Sequence, residues 1–298
     1  MKRFQTFFVI LLIALWLPAC SQLPTNGGQN EDSKLAKIIE QYHQYEEQSS
    51  PFNKKEVGGT NARLPDMSSQ ALRTNHDKLQ VILSEVKQIN DKELSDENKI
   101  NWAVLKYRIQ NQVDSYLFNE HFMPLTAESG FHANISFITR MASFKTVEDY
   151  QDYLSRLKEF PRYFSQQMAW MDLGIKQGYT QPQKVLEGFE ESIIAFIKED
   201  ATQSSYYRPF NNMPVHIDEA TQQRLKTEAI DVLNDKVFPS YQLFYDFMVN
   251  KYQPAAKQNI AAASLPNGQS YYENRVKHFT TLDMTADEVH QVGLKEVA

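Results

Sequence analysis

The densest apolar stretch comes first. Met1, Lys2 and Arg3 precede an unbroken apolar run from Phe7 to Leu17, and beyond it apolar residues recur at helical spacing. That first run is about half the roughly 20 residues a membrane-spanning helix needs, so it reads as a secretory signal that is exported and cut. Further on, Ser33 is placed to cap a helix whose apolar face is Leu35, Ile38, Ile39, Tyr42 and Tyr45. A loop with Pro51, Gly58 and Gly59 follows. The segment 68–89 is strongly periodic, with Leu72, Leu79, Ile82, Leu83 and Val86 on one face. Ser95 with Asn98 opens another helix, carrying Trp102, Leu105, Ile109 and Val113 to about Glu120. The stretch 125–143 contains Gly130 and reads as a loop with a short helical turn.

Thr146, with Glu148 and Asp149 behind it, starts a helix that ends near Phe160-Pro161. The next runs from Arg162 to Lys176 and stops at Gly178, a left-handed cap. Pro182 sits in the first turn of a predicted helix reaching about Glu199. The run 218–250 is predicted helical throughout, bent at Pro239. Leu265-Pro266-Asn267-Gly268 is a turn, and Tyr271 to Phe279 fits strand or helix. Thr285 and Glu288 form a capping box, and no stop signal follows before Ala298. The pattern predicts a mostly α fold, a helical array with little strand and no internal repeat.

Cys20 is the one cysteine, and it follows the apolar run directly. Leu17-Pro18-Ala19-Cys20 resembles the bacterial lipobox, in which the cysteine is acylated and becomes the new N-terminus. Residues 1–19 are then a signal peptide, and residues 20–32, polar with Pro24, Gly27 and Gly28, a flexible tether. Several acyl chains on one cysteine give stable membrane attachment. Ser21 after the cysteine implies sorting to the outer membrane, facing the periplasm. With one cysteine there is no internal disulfide, so the core alone must hold the fold.

Losing Lys2 and Arg3 with the signal leaves 29 basic against 37 acidic residues, a net charge of −8. That argues against nucleic acid, which demands a basic footprint. Ten glycines against 18 Phe and 15 Tyr suggest long helices with aromatic packing rather than phosphate-cradling loops.

A zinc peptidase helix needs two histidines one turn apart with a glutamate beside the first. The histidines are His43, His76, His121, His132, His216, His278 and His290, and no two are four residues apart. There is no Gly-x-Ser-x-Gly elbow. Ser84-x-x-Lys87 and Ser155-x-x-Lys158 match a serine–lysine spacing but lie on charge-rich helices, where such spacing arises by chance. Gly174-x-x-x-Gly178 has membrane-contact spacing in polar surroundings and reads as a helix end.

Three stretches resemble the N-terminal half of the bacterial DUF885 family. They are Thr146-Val147-Glu148-Asp149-Tyr150 with Phe160-Pro161-Arg162-Tyr163, then Gly178-Tyr179-Thr180-Gln181-Pro182, then Leu265 to Tyr272 continuing through Thr280 to Leu294. The resemblance implies a mostly helical protein roughly twice this length, similar to gluzincin-type zinc metallopeptidases, with its zinc helix in the C-terminal half. It makes residues 33–298 the N-terminal helical part of such a domain, incomplete relative to the family and without metal ligands. Zinc and a peptide substrate are expected only in a full-length relative. The resemblance also places 265–290 near the family's core region. There Tyr271, Tyr272 and His278 are candidates to donate hydrogen bonds in a substrate cleft. His132, in the irregular Gly130-Phe131-His132 stretch, is a further candidate. The competing reading is a non-enzymatic helical lipoprotein, a binding or assembly module of the envelope.

Overall fold

Short polar side chains set the helix starts. The Ser68 hydroxyl accepts from the Ala71 amide and opens α2 (Ser69–Gln88), and the Ser95 hydroxyl accepts from Asn98 and opens α3 (Asp96–Leu117). Ahead of them α1 spans Gly27–Ser49. The computed structural model describes residues 27–49 and 63–297. The signal segment, Cys20, Ser21 and the loop with Pro51, Gly58 and Gly59 lie outside the described residues.

α1 begins before the expected cap at Ser33, and so claims the second half of the predicted tether. The reason is tertiary. Glu31, 5% exposed, accepts from the Asn90 amide at 3.0 Å, and Asp32 accepts from the Ser95 amide at 3.1 Å. Polar residues that look like tether therefore fasten α1 to the α2–α3 connection. Contacts of Val86 with Trp102 and of His76 with Tyr116 make α2 and α3 antiparallel. Leu35, Ile38 and Tyr42 of α1, Leu79, Leu83 and Val86 of α2, and Leu105, Ile109 and Val113 of α3 form one core.

A second, larger core is built from the later helices. Phe131 to Met141 is helical almost throughout, as α4 (Phe131–Asn134), a single tight turn, and α5 (Ile138–Met141). α6 (Val147–Lys158) opens with a reciprocal box between Thr146 and Asp149. α7 (Phe160–Gln177) ends at Gly178, whose φ of 80° is the left-handed cap its sequence predicts. The segment leading into α2 is strapped onto α7 and its cap. Glu159 accepts from the Leu64 amide at 2.7 Å, and the Trp170 indole donates to the Met67 carbonyl at 2.6 Å.

The predicted helix from Pro182 to Glu199 is broken. Residues 183–186 make one tight turn, Glu187 is extended, and Gly188 takes φ 74° before α8 (Phe189–Ile194). A left-handed residue cannot continue a right-handed helix, so Gly188 divides the segment. The run after Asp218 is helical as expected: α9 (Glu219–Val232), α10 (Phe238–Phe247) and α11 (Gln253–Ala255). Between them the helix widens by one residue per turn at 233–237 and again at 248–252. Each wide turn ends two residues before a proline, Pro239 and Pro254. Proline has no N–H for the carbonyl four residues back and its ring collides with it, so a wider turn relieves the clash.

α12 (Gly268–Thr280) settles the strand-or-helix alternative as helix, and α13 (Ala286–Val297) begins with the predicted Thr285–Glu288 box. Among the described residues the only β pairing is two isolated bridges, Leu125–Gly130 and Pro182–Lys257. The fold is the mostly α array that the pattern predicts.

Aromatic rings fill the larger core. Phe164 meets Phe131, Tyr241 and Phe160 at centroid distances of 5.2, 4.9 and 5.6 Å. The buried phenols are satisfied in series: Tyr206 bonds Tyr241 at 2.6 Å, and Tyr241 donates to the His132 carbonyl at 2.7 Å.

Gly174 is not merely a helix end. A methyl group there would lie 2.7 Å from the Tyr179 carbonyl oxygen and 3.0 Å from that of Phe122. Gly174→Ala is expected to cost about 1–3 kcal/mol, read as a lower urea midpoint with an unchanged slope. An unchanged midpoint would show that the backbone at Tyr179 and Phe122 yields freely.

Candidate functional site

Where α12 crosses the C-terminal end of α3, a cleft of about 720 Å3 opens between the two and the α1–α2 pair. Helical spacing supplies its walls. α2 gives Leu72, Asn75, His76 and Leu79; α3 gives Arg108, Asn111, Gln112 and Ser115. Glu120 and His121 come from the turn after α3, and Arg275 and His278 from α12.

Polar contacts hold α12 in place. Asn274 donates to Asp114 at 2.8 Å, and Arg275 pairs with Glu120 at 2.6 Å. Ser115 donates to the other Glu120 oxygen, and the Tyr107 hydroxyl donates to the His278 carbonyl. Tyr271 packs at the same junction, against Phe118 and under the Arg275 guanidinium. Burial pushes its hydroxyl up to about 12, helped by the Glu120 charge and opposed by Arg275.

A ladder of rings forms one wall. His76 stacks on Tyr116 at 4.3 Å, Tyr116 on His121 at 5.2 Å, and His121 meets the edge of Trp170 at 4.6 Å. Burial pulls His121 down to about 4 against the Glu120 charge, and lowers His76 against Asp77. At neutral pH the His121 ring is therefore uncharged.

Four buried polar atoms of this cleft find no hydrogen-bond partner within the protein: His76 Nδ1, Gln112 Oε1, Arg275 Nε and His278 Nδ1. An unsatisfied buried group costs about 1–3 kcal/mol, so these are atoms that water or a ligand must complete. Beside the cleft, a groove of about 340 Å3 shares Ser49 and Asn75 with it and holds Arg63 and Arg162. Both of these arginines pair with Glu159.

The residues predicted from sequence do not converge. His278 lines the cleft. Tyr271 stands behind it, facing a smaller pocket with Thr180 and Lys257, and Tyr272 is 44% exposed. His132 is 0% exposed and belongs to the aromatic core, between Phe189 and Phe244. Its neighbour explains its proton. Ser192 spends its hydroxyl hydrogen on the Phe189 carbonyl, so it accepts from His132 Nε2 at 3.0 Å, leaving Nδ1 bare. Neither serine–lysine spacing forms a pair: Lys87 bonds Gln110 and Lys158 bonds Glu228.

Among the described residues no three His, Cys, Asp or Glu side chains group as metal ligands. His76, His121 and His278 share a cleft without forming such a trio, so no hydrolytic step is derived from them. No described helix is long and apolar enough to cross a membrane.

No curated protein matches this chain. Among solved structures, it is similar to the crystal structure described as "the putative lipoprotein from Colwellia psychrerythraea". The TM-score is 0.72 at 16% identity, over 91% of this chain and 49% of that one. This chain thus spans about half the length of that protein, and the likeness speaks for the fold. The family model described as "Bacterial protein of unknown function (DUF885)" matches residues 51–298, which covers both cores from α2 onward and every cleft residue outside α1. The chain belongs to the DUF885 family.

Proposed function

We propose that this chain is the N-terminal helical part of a lipid-anchored envelope protein, and that the cleft between α3 and α12 binds an extended peptide. The observation that carries the reading is the set of four unpartnered polar atoms on one cleft. Arg275 Nε donates, Gln112 Oε1 accepts, and each histidine Nδ1 does either according to tautomer. A peptide backbone offers both carbonyls and amides, so it complements this mixture. The adjoining groove with Arg63 and Arg162 extends the surface along one direction.

In a full-length gluzincin-like relative, zinc and its helix belong to the C-terminal half, and this cleft supplies binding contacts to a zinc-dependent peptidase. By itself the chain binds rather than hydrolyses.

The test is a titration of the full chain with a tryptic digest of casein, followed by Trp170 fluorescence, since Trp170 abuts His121 of the cleft. Saturable quenching is expected, weakened about tenfold or more by Arg275→Met with His278→Ala. That is the loss of one or two hydrogen bonds to a charged or polar group. Quenching that is absent, or unchanged in the double variant, overturns the peptide reading.

The anchor is tested separately. Cys20→Ser is expected to abolish incorporation of a palmitate analogue, because no other thiol exists in the chain. Equal labelling of the variant would contradict acylation at Cys20.

A further inference from the structure

A second pocket, sharing no residue with the cleft, holds about 320 Å3 between α5 and the turn at 208–210. Its walls are Ser136, Thr139, Arg140, Phe144, Ser205 and Arg208, with Pro209 at the edge. Two arginines stand here with no acidic residue among the lining side chains. The chain as a whole carries 37 acidic residues against 31 basic ones. Arg63, Arg108, Arg162, Arg224 and Arg275 each pair with a carboxylate. Arg140 and Arg208 form no ion pair among the described residues. Arg140 lies only over the Phe137 ring, at 5.2 Å. Two like charges held at one pocket without a counter-charge favour an anion between them.

The hydroxyls narrow the class. Ser136 donates to the Ala133 carbonyl at 2.7 Å and Thr139 donates to the Ser136 carbonyl at 2.9 Å. Their hydrogens are spent, so toward the pocket both oxygens only accept. Ser205 is exposed and has no hydrogen-bond partner among the described residues, so it remains a donor. The pocket therefore offers guanidinium donors for a tetrahedral anion and hydroxyl acceptors for O–H groups beside it. A phosphate presents more acceptor oxygens than a carboxylate and matches two guanidinium forks.

We propose that Arg140 and Arg208 form a binding site for a phosphate ester whose alcohol part carries free hydroxyls. A glycerophosphate unit has this chemistry, either as a soluble ester or as the headgroup of phosphatidylglycerol. Phe137 and Met141, 46% and 54% exposed, flank Arg140 on the same helical stretch and offer apolar contact beside the charge.

The test uses the full chain carrying Cys20→Ser, so that no acyl anchor contributes. Glycerol 3-phosphate binding is measured by calorimetry. Vesicle binding is measured by sedimentation, with phosphatidylglycerol against phosphatidylcholine. Arg140→Gln and Arg208→Gln are each expected to weaken binding tenfold or more. Arg73→Gln, an exposed arginine on α2 outside the pocket, is expected to change it less than twofold. Arginine-dependent binding of phosphatidylglycerol vesicles assigns the lipid headgroup. Arginine-dependent binding of glycerol 3-phosphate alone assigns a soluble ester. If neither probe binds, or if Arg140→Gln and Arg208→Gln bind as the parent does, the site is refuted. All three arginines are exposed, so the variants fold, and an unchanged thermal midpoint verifies it.

Discussion

Lowering the pH from 7 to 4.5 is expected to reduce folding stability, chiefly through one core histidine. His121 and His132 ordinarily titrate near 6.5, and burial holds each at about 4 in the folded chain. The sign follows from proton counts. Between pH 6.5 and 4 the unfolded chain binds protons that the folded chain refuses, so stability is complete above the unfolded value and falls as pH drops. For His132 the shift corresponds to about 2 kcal/mol at pH 4.5, and the less deeply buried His121 contributes less, because solvent screens its charge. For His132 the physical cause is plain. Protonating its bare Nδ1 would set a charge beside Phe189, Phe196 and Phe244. Thermal midpoints followed by circular dichroism at pH 7, 6, 5 and 4.5 measure the slope. His132→Leu loses the Ser192 hydrogen bond and starts from a lower midpoint, but its decline with pH should be clearly shallower than the parent's. A decline as steep as the parent's would mean that folding does not lower the proton affinity of His132.

Gly268→Ala is the second large effect, and it links fold to cleft. A methyl group at Gly268 would lie 2.3 Å from the Ala262 carbonyl oxygen, and 2.6 and 2.7 Å from Ala263 carbonyl atoms. All three are backbone, so no side chain can swing aside. Either the turn at 262–264 moves or the first turn of α12 does. Overpacking commonly costs about 1–3 kcal/mol, and three backbone collisions place this substitution at or above the upper end. The damage should be directional. α12 carries Arg275 and His278, so its amides should exchange faster and the Asn274–Asp114 and Arg275–Glu120 contacts loosen. The larger aromatic core should stay protected. Uniform loss of protection across both cores would show that α12 is integral to the whole fold rather than docked on it.

Much of the fold was legible because helix termini are local chemistry. Ser68, Ser95, the Thr146–Asp149 box, Gly178 and the Thr285–Glu288 box each act within a few residues of themselves. Long-range features were not legible. Glu31 and Asp32 resemble tether residues until Asn90 and Ser95, far along the chain, supply their partners. Gly188 sits inside an apolar pattern that fits a helix, and only its left-handed backbone shows the break.

The cleft was legible only in part. His278 is the candidate that the family resemblance gives, and it lines the cleft. His76 and His121 have no partner histidine at ligand spacing, so the sequence does not mark them as ligands. A signal existed: Asn75 and His76 between Leu72 and Leu79, and Arg108, Gln112 and Ser115 one turn apart on α3, form polar stripes beside apolar faces. Whether such a stripe meets solvent or another helix is decided by α12, some 160 residues away. For His132 the irregular sequence around Gly130 does not reveal burial. Phe131, Ile135 and Ile138 instead drive that stretch into the core.

The central claim is that the cleft between α3 and α12 is where this chain binds peptide. Hydrogen exchange of the full chain, with and without a saturating casein digest, measures it most directly. The account predicts added protection confined to 108–121 and 271–279, with little change in α9 and α10. Protection elsewhere with those segments unchanged, or none at all, would contradict it.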